Sequence, residues 1–267
     1  MNIRGTNVVL TGASGGIGRA IATELSKQGA KLILVARDEK RLLEVLDDLD
    51  GTGHMAVPAD LSDDGGRRRV LQACENAYEN GVCLLINGAG VNEFGLFEEL
   101  SQTTIRNLID VNLLSPILLC QDLLPILHQQ EEAHIINIGS TFGSIGYPGF
   151  GAYCASKFGL RGFTEALRRE LADTNTRVSY VAPRATRTDL NSDAVVAMND
   201  ALGTEMDDPS LVADEVMRII SDRAKTDKYI GWPEKLFIRV NALLPGIVDS
   251  NLRKRLPLIR RFAKSKT

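Results

Sequence analysis

Tyr153 and Lys157 stand four residues apart in the stretch YCASKFG, with only Cys154, Ala155 and Ser156 between them. On a helix, positions i and i+4 share a face, so a phenol and an amine would point the same way over a strip kept thin by small residues. A free phenol titrates near 10, and a cationic amine one turn away has the right sign to lower that value. Such a pair could hold and pass a proton. Taken alone, the spacing fits a packed or solvated helix face better than a reactive one.

A second candidate lies near the start of the chain, in TGASGGIG, Thr11 to Gly18. Gly12, Gly16 and Gly18 let a backbone turn tightly and approach a phosphate, and a helix start behind them would present free N–H groups and a positive dipole. The spacing is GxxxGxG rather than GxGxxG, and a glycine-rich turn is weak evidence until it is placed between a strand and a helix.

The elements around these residues supply that placement. Apolar runs of four to six residues alternate with segments of helical period. Thr6–Thr11, Lys31–Ala36, His54–Pro58, Val82–Ile86, His134–Ile138 and Arg177–Val181 read as six strands. Ile17–Gln28, Glu39–Leu49, Val70–Glu79, Gln102–His128 and Ala152–Leu171 read as helices, with Pro116 and Pro125 as bends or ends of the long fourth one. Fully apolar strands separated by helices predict an α/β fold, a doubly wound parallel sheet of the Rossmann type, with ligands at the carboxyl ends of the strands. No repeat and no boundary to a second domain is visible. Residues 184–210 are polar and lack a strand pattern, which makes them a lid after strand six, and Pro209 restarts a helix.

Composition sets limits. With 267 residues, 44% hydrophobic and 24% charged, the chain suits one large α/β domain, and a net charge of -3 gives no global electrostatic case for nucleic acid. The start of the chain does not resemble a signal peptide, and no window reads as a spanning helix. Cys74, Cys83, Cys120 and Cys154 show no CxxC spacing and are expected as buried free thiols in a reducing cytoplasm. His54, His128 and His134 are scattered without ligand spacing, so no metal site is expected. From Lys235 to the end there are nine Lys/Arg against one acidic residue, Asp249. This tail, 235–267, reads as a basic amphipathic extension of a 1–234 domain. Two uses compete for it: peripheral attachment to an anionic membrane, or an oligomer interface.

The glycine loop, together with Asn87-Gly88-Ala89-Gly90, Asn112, Ser140, Tyr153 and Lys157, resembles the short-chain dehydrogenase/reductase family in both order and spacing. The resemblance runs from about Asn7 to Asp189, roughly two-thirds of the chain. It implies an oxidoreductase that passes hydride between a nicotinamide and a ketone or secondary alcohol. Tyr153 would be the general acid/base; Lys157, together with the charge of the oxidised nicotinamide, would lower its pKa, and Lys157 would also bond the nicotinamide ribose. Bringing a phenol from 10 toward neutral takes about 4 kcal/mol. Ser140 would orient the substrate oxygen, although a loop serine can also simply cap a turn. Asn112 would hold a kinked helix and a proton relay.

The same resemblance places the cofactor against Gly12, Ser14, Gly16, Ile17 and Gly18 of the loop. It adds Arg37, Asp60 with Leu61, Asn87, Ala89, Gly90, Tyr153, Lys157, Pro183 and Thr188. Strand two ends in Ala36-Arg37, without the carboxylate of NAD-specific members, so NADP(H) is the expected cofactor despite Asp38. Arg184 stands where the family has glycine. It and Arg187 would either bind an anionic substrate or face solvent. The substrate is expected to be a small molecule with a hydrophobic or acyl-type carbonyl, and the protein a homodimer or homotetramer. Two rival readings stand beside this one: an NADP-binding regulatory protein without turnover, and a family-type epimerase or dehydratase.

Overall fold

Val, Ile and Leu buried on both faces suit a parallel sheet covered by helices, and such runs form the strands here. The computed structural model describes residues 1–77, 81–222 and 226–264. The chain runs through β1 (Asn7–Thr11), α1 (Gly16–Lys27), β2 (Lys31–Ala36), α2 (Glu39–Asp47), β3 (Met55–Pro58), α3 (Asp64–Asn76) and β4 (Val82–Asn87). Then follow α4 (Gln102–Ile109), a π-helical turn (Asp110–Leu114), α5 (Ser115–Leu127), β5 (Ala133–Ile138), α6 (Gly151–Glu170) and β6 (Thr176–Ala182). The chain continues as α7 (Asp193–Ala201), α8 (Pro209–Ser221), β7 (Asp227–Tyr229), α9 (Glu234–Leu243) and α10 (Pro245–Ala263). The strands form one parallel sheet in the order β3-β2-β1-β4-β5-β6-β7. Strand order reverses between β1 and β4, so the ligand crevice of a doubly wound sheet lies outside their carboxyl ends.

Alternate strand residues face opposite layers of core. Leu10 and Leu34 pack with Ile21 and Leu25 of α1 and Val216 of α8 on one side. Val9 and Val35 pack with Leu119 and Leu123 of α5 on the other. All four cysteines are buried and free.

Some boundaries differ from the expectation, each for a local reason. α3 starts at Asp64 rather than Val70, because the Asp63 side chain caps it by accepting from the Gly66 N–H at 2.6 Å. The expected end of that helix, Tyr78 and Glu79, lies outside the described residues. β7 was not expected, because its three residues, Asp-Lys-Tyr, carry no apolar pattern; pairing with β6 and an Arg168–Asp227 ion pair hold it.

The long helix runs without a break from α4 through the π turn into α5, so neither Pro116, just past that turn, nor Pro125, inside α5, ends it. Proline donates no N–H, and the register widens just ahead of Pro116, with the Ser115 N–H bonding Asp110 O. Contrary to the expectation, the helix Gln102–Leu127 is long and apolar enough to cross a membrane by length and composition, with a mean hydropathy of 1.4 over an 18-residue window. Charges at Arg106, Asp110 and Asp122 interrupt the apolar run without lowering its average far enough. The tail packs on the domain, consistent with the single domain expected. Ile259 and Ala263 of α10 are buried with Phe150, Val195 and Met198, so α10 packs on the lid as part of the same domain.

Candidate active site

The carboxyl ends of β1 and β4 interlock to make the floor of the cleft. Gly12 has φ +69°, and a Cβ there would meet the Gly88 carbonyl oxygen at 2.6 Å. Thr11 Oγ1 accepts from the Gly88 and Ala89 N–H groups at 3.0 and 3.1 Å, which locks the two turns together. A Cβ at Gly18 would lie 2.1 Å from Gly12 O, so α1 can press its first turn against the loop only as glycine. Gly15, extended ahead of α1, leaves the first N–H groups of that helix without a side-chain cap, and no acidic residue sits in its first turn. Free N–H groups, a positive helix end and a close backbone are what a pyrophosphate needs, so these residues fit a dinucleotide. Ser14, Gly16 and Ile17 line the same cleft.

The end of β2 carries Arg37, exposed and lining the cleft. Asp38 also lines the cleft, and its carboxylate caps α2, accepting from the Arg41 N–H at 3.1 Å. Asp60 accepts from the Ser62 hydroxyl at 2.7 Å and the Ser62 N–H at 2.9 Å. The Ser62 hydroxyl bond, aided by the Ser62 N–H and the Arg37 charge, holds this carboxyl below the usual carboxylate range. Buried Arg67, missed in the sequence, donates to Leu61 O at 3.0 Å and so steadies the loop that carries Asp60 and Leu61.

Asn87, expected both to stabilise the sheet and to contact the cofactor, is buried and lies outside the cleft lining. Its Nδ2 donates to Asn137 Oδ1 at 2.8 Å, and Asn137 Nδ2 donates to Thr164 Oγ1 at 2.9 Å. The side chain therefore ties β4 through β5 to α6 inside the sheet, while Ala89 and Gly90 line the cleft.

Ser140, Tyr153 and Lys157 converge at the base of the cleft, from the loop after β5 and from α6. Ser140 caps a turn, as one of the two readings has it, and it also faces the Tyr153 phenol. Its Oγ accepts from the Phe142 N–H at 3.1 Å, capping a short 3-10 turn, and it hydrogen-bonds the Tyr153 phenol. Lys157 Nζ donates to Ile138 O at 3.1 Å and lies 5.9 Å from the centre of the Tyr153 ring.

The protein's own groups raise the Tyr153 pKa, so an acidic phenol would need the nicotinamide charge that the expectation joined to Lys157. Burial pushes the phenol up to about 12, and the Ser140 bond only partly offsets that. Burial also pulls Lys157 down to about 8. Removal from water works against both charged forms, and that cost is invisible in the spacing of two residues.

Asn112 sits in the π turn, fully buried. Its Oδ1 accepts from Val91 N at 2.8 Å and its Nδ2 donates to Val91 O at 2.9 Å and Ser156 Oγ at 3.2 Å. Ser156 in turn donates to Tyr153 O at 2.7 Å. Asn112 thus joins the loop after β4 to the backbone of the helix that bears Tyr153.

The far end of the cleft is aromatic, which sequence reading missed although the residues lie in one stretch. Phe142 stacks on Tyr147 with ring centres 4.9 Å apart, and Phe142 and Phe150 meet the Tyr153 ring edge-on at 6.4 and 6.3 Å. Val195 and Met198 of α7 and Ile247 and Leu252 of α10 complete a cleft of about 1110 Å³.

The family model for short chain dehydrogenases matches residues 6–198. The chain belongs to that family. A 3-oxoacyl-[acyl-carrier-protein] reductase of Vibrio cholerae is 31% identical to it, covering 84% of this chain and 93% of that one. The 3-ketodihydrosphingosine reductase of Mus musculus is 34% identical over 69% of this chain, and the match spans 57% of that relative. A short chain dehydrogenase/reductase from Burkholderia phymatum, solved in complex with NAD, superposes with a TM-score of 0.83 at 25% identity, covering 91% of this chain and 94% of that one.

This short chain dehydrogenase departs from its family's sequence pattern at Arg184, and its structure gives the reason. The guanidinium forms a bidentate pair with Asp207, at 3.0 and 2.7 Å, and also reaches Glu234 and the Trp232 carbonyl. Gly231, at φ +97°, makes room for it, since a Cβ there would fall 2.5 Å from Arg184 Cδ. Arg184 therefore ties the end of β6 to the lid and to α9, and it is neither a free anion receptor nor a solvent-facing charge. Arg187 is exposed. Pro183 and Thr188 line the cleft where expected, and a Cβ on Gly16 would strike Thr188 Cγ2 at 2.8 Å.

Proposed function

We propose that the protein is an NADP(H)-dependent oxidoreductase that reduces the ketone of a hydrophobic, acyl-type substrate. One observation carries this reading: Ser140, Tyr153 and Lys157 meet at the floor of a cleft whose other end is the glycine cradle. A nicotinamide bound there supplies and takes up hydride. The chain's own residues handle the oxygen and its proton. Tyr153 Oη, held protonated by its burial, is the donor to the carbonyl oxygen, and Ser140 Oγ fixes that oxygen by hydrogen bonding.

Arg37 at the cleft, with Ser14 in the loop and Asp38 engaged as a helix cap, supports NADP(H) over NAD(H). The aromatic and aliphatic far wall supports an apolar substrate, in keeping with relatives that are 3-oxoacyl and 3-ketodihydrosphingosine reductases. Exposed Leu114 beside α5 and exposed Phe158 on α6 support a homodimer or homotetramer through these helices. Four buried free thiols suit a reducing compartment such as the cytoplasm.

The test is a panel of ketones and β-ketoacyl thioesters with NADPH, followed by absorbance, for wild type and Tyr153→Phe. Turnover by wild type, and a loss of about 10²–10⁴-fold in the variant with NADPH affinity kept, is the expected result. Full activity in the variant would refute the role of Tyr153.

A further inference from the structure

The link between α9 and α10 is an apolar tip that the fold leaves in water. Residues 242–247, Ala-Leu-Leu-Pro-Gly-Ile, are all exposed, with Leu243 at 80% and Leu244 and Ile247 at 58%. Trp232, 69% exposed just ahead of α9, and Leu236 on α9 are further exposed apolar side chains of the hairpin. Clustered exposed apolar side chains such as those of the tip mark docking sites. The tip is also part of the cleft: Phe237, Gly246 and Ile247 line it, on the side away from the glycine cradle.

Charge decides what covers the tip. Between positions 235 and 264 stand eight Lys/Arg and one acidic residue, Asp249. Lys235 and Arg239 on α9 and Arg253 and Lys254 on α10 are all exposed. Glu234, at the start of α9, is spent on Arg184. A two-fold contact between copies would bring these cationic segments face to face, and like charges opposed across an interface oppose binding. An anionic lipid surface attracts every one of them, while the apolar tip enters the headgroup and acyl boundary. The rest of the chain is net acidic and would be repelled, which turns the hairpin toward the bilayer.

We propose that the α9–α10 hairpin docks this protein on an anionic phospholipid bilayer, with the substrate mouth of the cleft opening beside the contact. Entry of substrate from the lipid rests on the apolar-ketone reading above; the docking itself does not.

The experiment uses the full chain with vesicles of phosphatidylcholine alone or containing about 30% phosphatidylglycerol. Trp232 is the sole tryptophan and reports on the hairpin directly. Expected are co-sedimentation and a blue shift of tryptophan emission with the anionic vesicles, weak binding to phosphatidylcholine, and weakening as salt is raised. Leu243→Glu/Leu244→Glu, at two positions that do not line the cleft, should lower vesicle affinity at least about tenfold while thermal melting, NADPH binding and turnover of a water-soluble ketone stay unchanged. Wild type left in the supernatant with anionic vesicles overturns the proposal, as does a double variant that binds like wild type. So does light scattering in which the double variant dissociates a wild-type assembly that ignores vesicles, for then a second copy covers the tip. Failure of NADPH turnover with vesicle binding intact would strike the enzymatic reading and leave the docking standing.

Discussion

The Tyr180 hydroxyl, on β6 next to the edge strand β7, brackets the Ser140 residue: it accepts from the Ser140 N–H and donates to the Ser140 carbonyl, each at 3.3 Å. Glycines make the space. A Cβ on Gly139 would lie 2.0 Å from the Tyr180 ring, and one on Gly143 would lie 2.3 Å from its hydroxyl. Tyr180 thus fixes the backbone of the residue that orients the substrate oxygen, from a fully buried position that touches no ligand. Tyr180→Phe keeps the shape and removes both bonds. It should cost about 1 kcal/mol of stability and lower kcat several-fold with KM and NADPH affinity little changed. Urea unfolding and steady-state kinetics check this; a kcat equal to wild type's would deny Tyr180 any part in positioning Ser140.

The depressed pKa of Lys157 makes a linkage prediction. In the unfolded chain this lysine holds its proton up to 10.5, in the folded one only to about 8. Between those values the unfolded state binds more protons, so this group adds stability as pH rises from 8 toward 10.5, and its burial penalty is felt in full below 8. Tyr153 has the opposite sign, but only above its unfolded value of 10. Between pH 7 and 10, wild type should therefore gain about 2–3 kcal/mol relative to Lys157→Met. Denaturant titrations of both proteins at the two pH values measure the difference; a constant gap would mean that Lys157 stays fully charged when folded.

Cofactor choice separates two neighbouring residues. Arg37→Ala should weaken NADPH binding far more than NADH binding, because it removes the exposed charge beside the cleft. Asp38→Ala should leave that preference nearly unchanged and instead cost about 1 kcal/mol by uncapping α2, while Asp38→Asn restores the cap. Fluorescence titration with both nucleotides, alongside melting curves, distinguishes these outcomes. Equal losses of the two nucleotides in Arg37→Ala would contradict the NADP(H) reading.

Much of this was legible before any coordinates. β2 runs over Lys31–Ala36 as its pattern predicts, and a glycine loop between β1 and α1 followed by Ser140, Tyr153 and Lys157 announces both ends of one cleft. The apolar run and the turn that only glycine permits are local signals, whereas Ser140, Tyr153 and Lys157 stand out only through the family resemblance. What escaped depends on chain segments far apart in sequence. Asp207 neutralises Arg184 across 23 positions, and Ile259 completes a core with Phe150. Spacing likewise displays the charged neighbour of Tyr153 but not the loss of water around both groups, which raises the phenol and lowers the amine.

The Arg184–Asp207 pair, lastly, holds the lid. Asp207 is only 9% exposed, so removing its partner leaves a carboxylate that little water can reach. Arg184→Gly, which installs the family's usual residue, should therefore not relax the site but destabilise the fold by about 3 kcal/mol. Asp207→Ala alone leaves Arg184 with Glu234 and the Trp232 carbonyl and should cost less. The double variant Arg184→Gly/Asp207→Ala should recover about 1–2 kcal/mol relative to the sum of the single changes, because no orphaned carboxylate remains. A double-mutant cycle by urea unfolding gives the coupling, and the same variants should raise KM for substrate more than they lower kcat, since the pair anchors the lid rather than the reacting groups. Additive single changes would show that Asp207 does not depend on Arg184, and that the lid is held by something else.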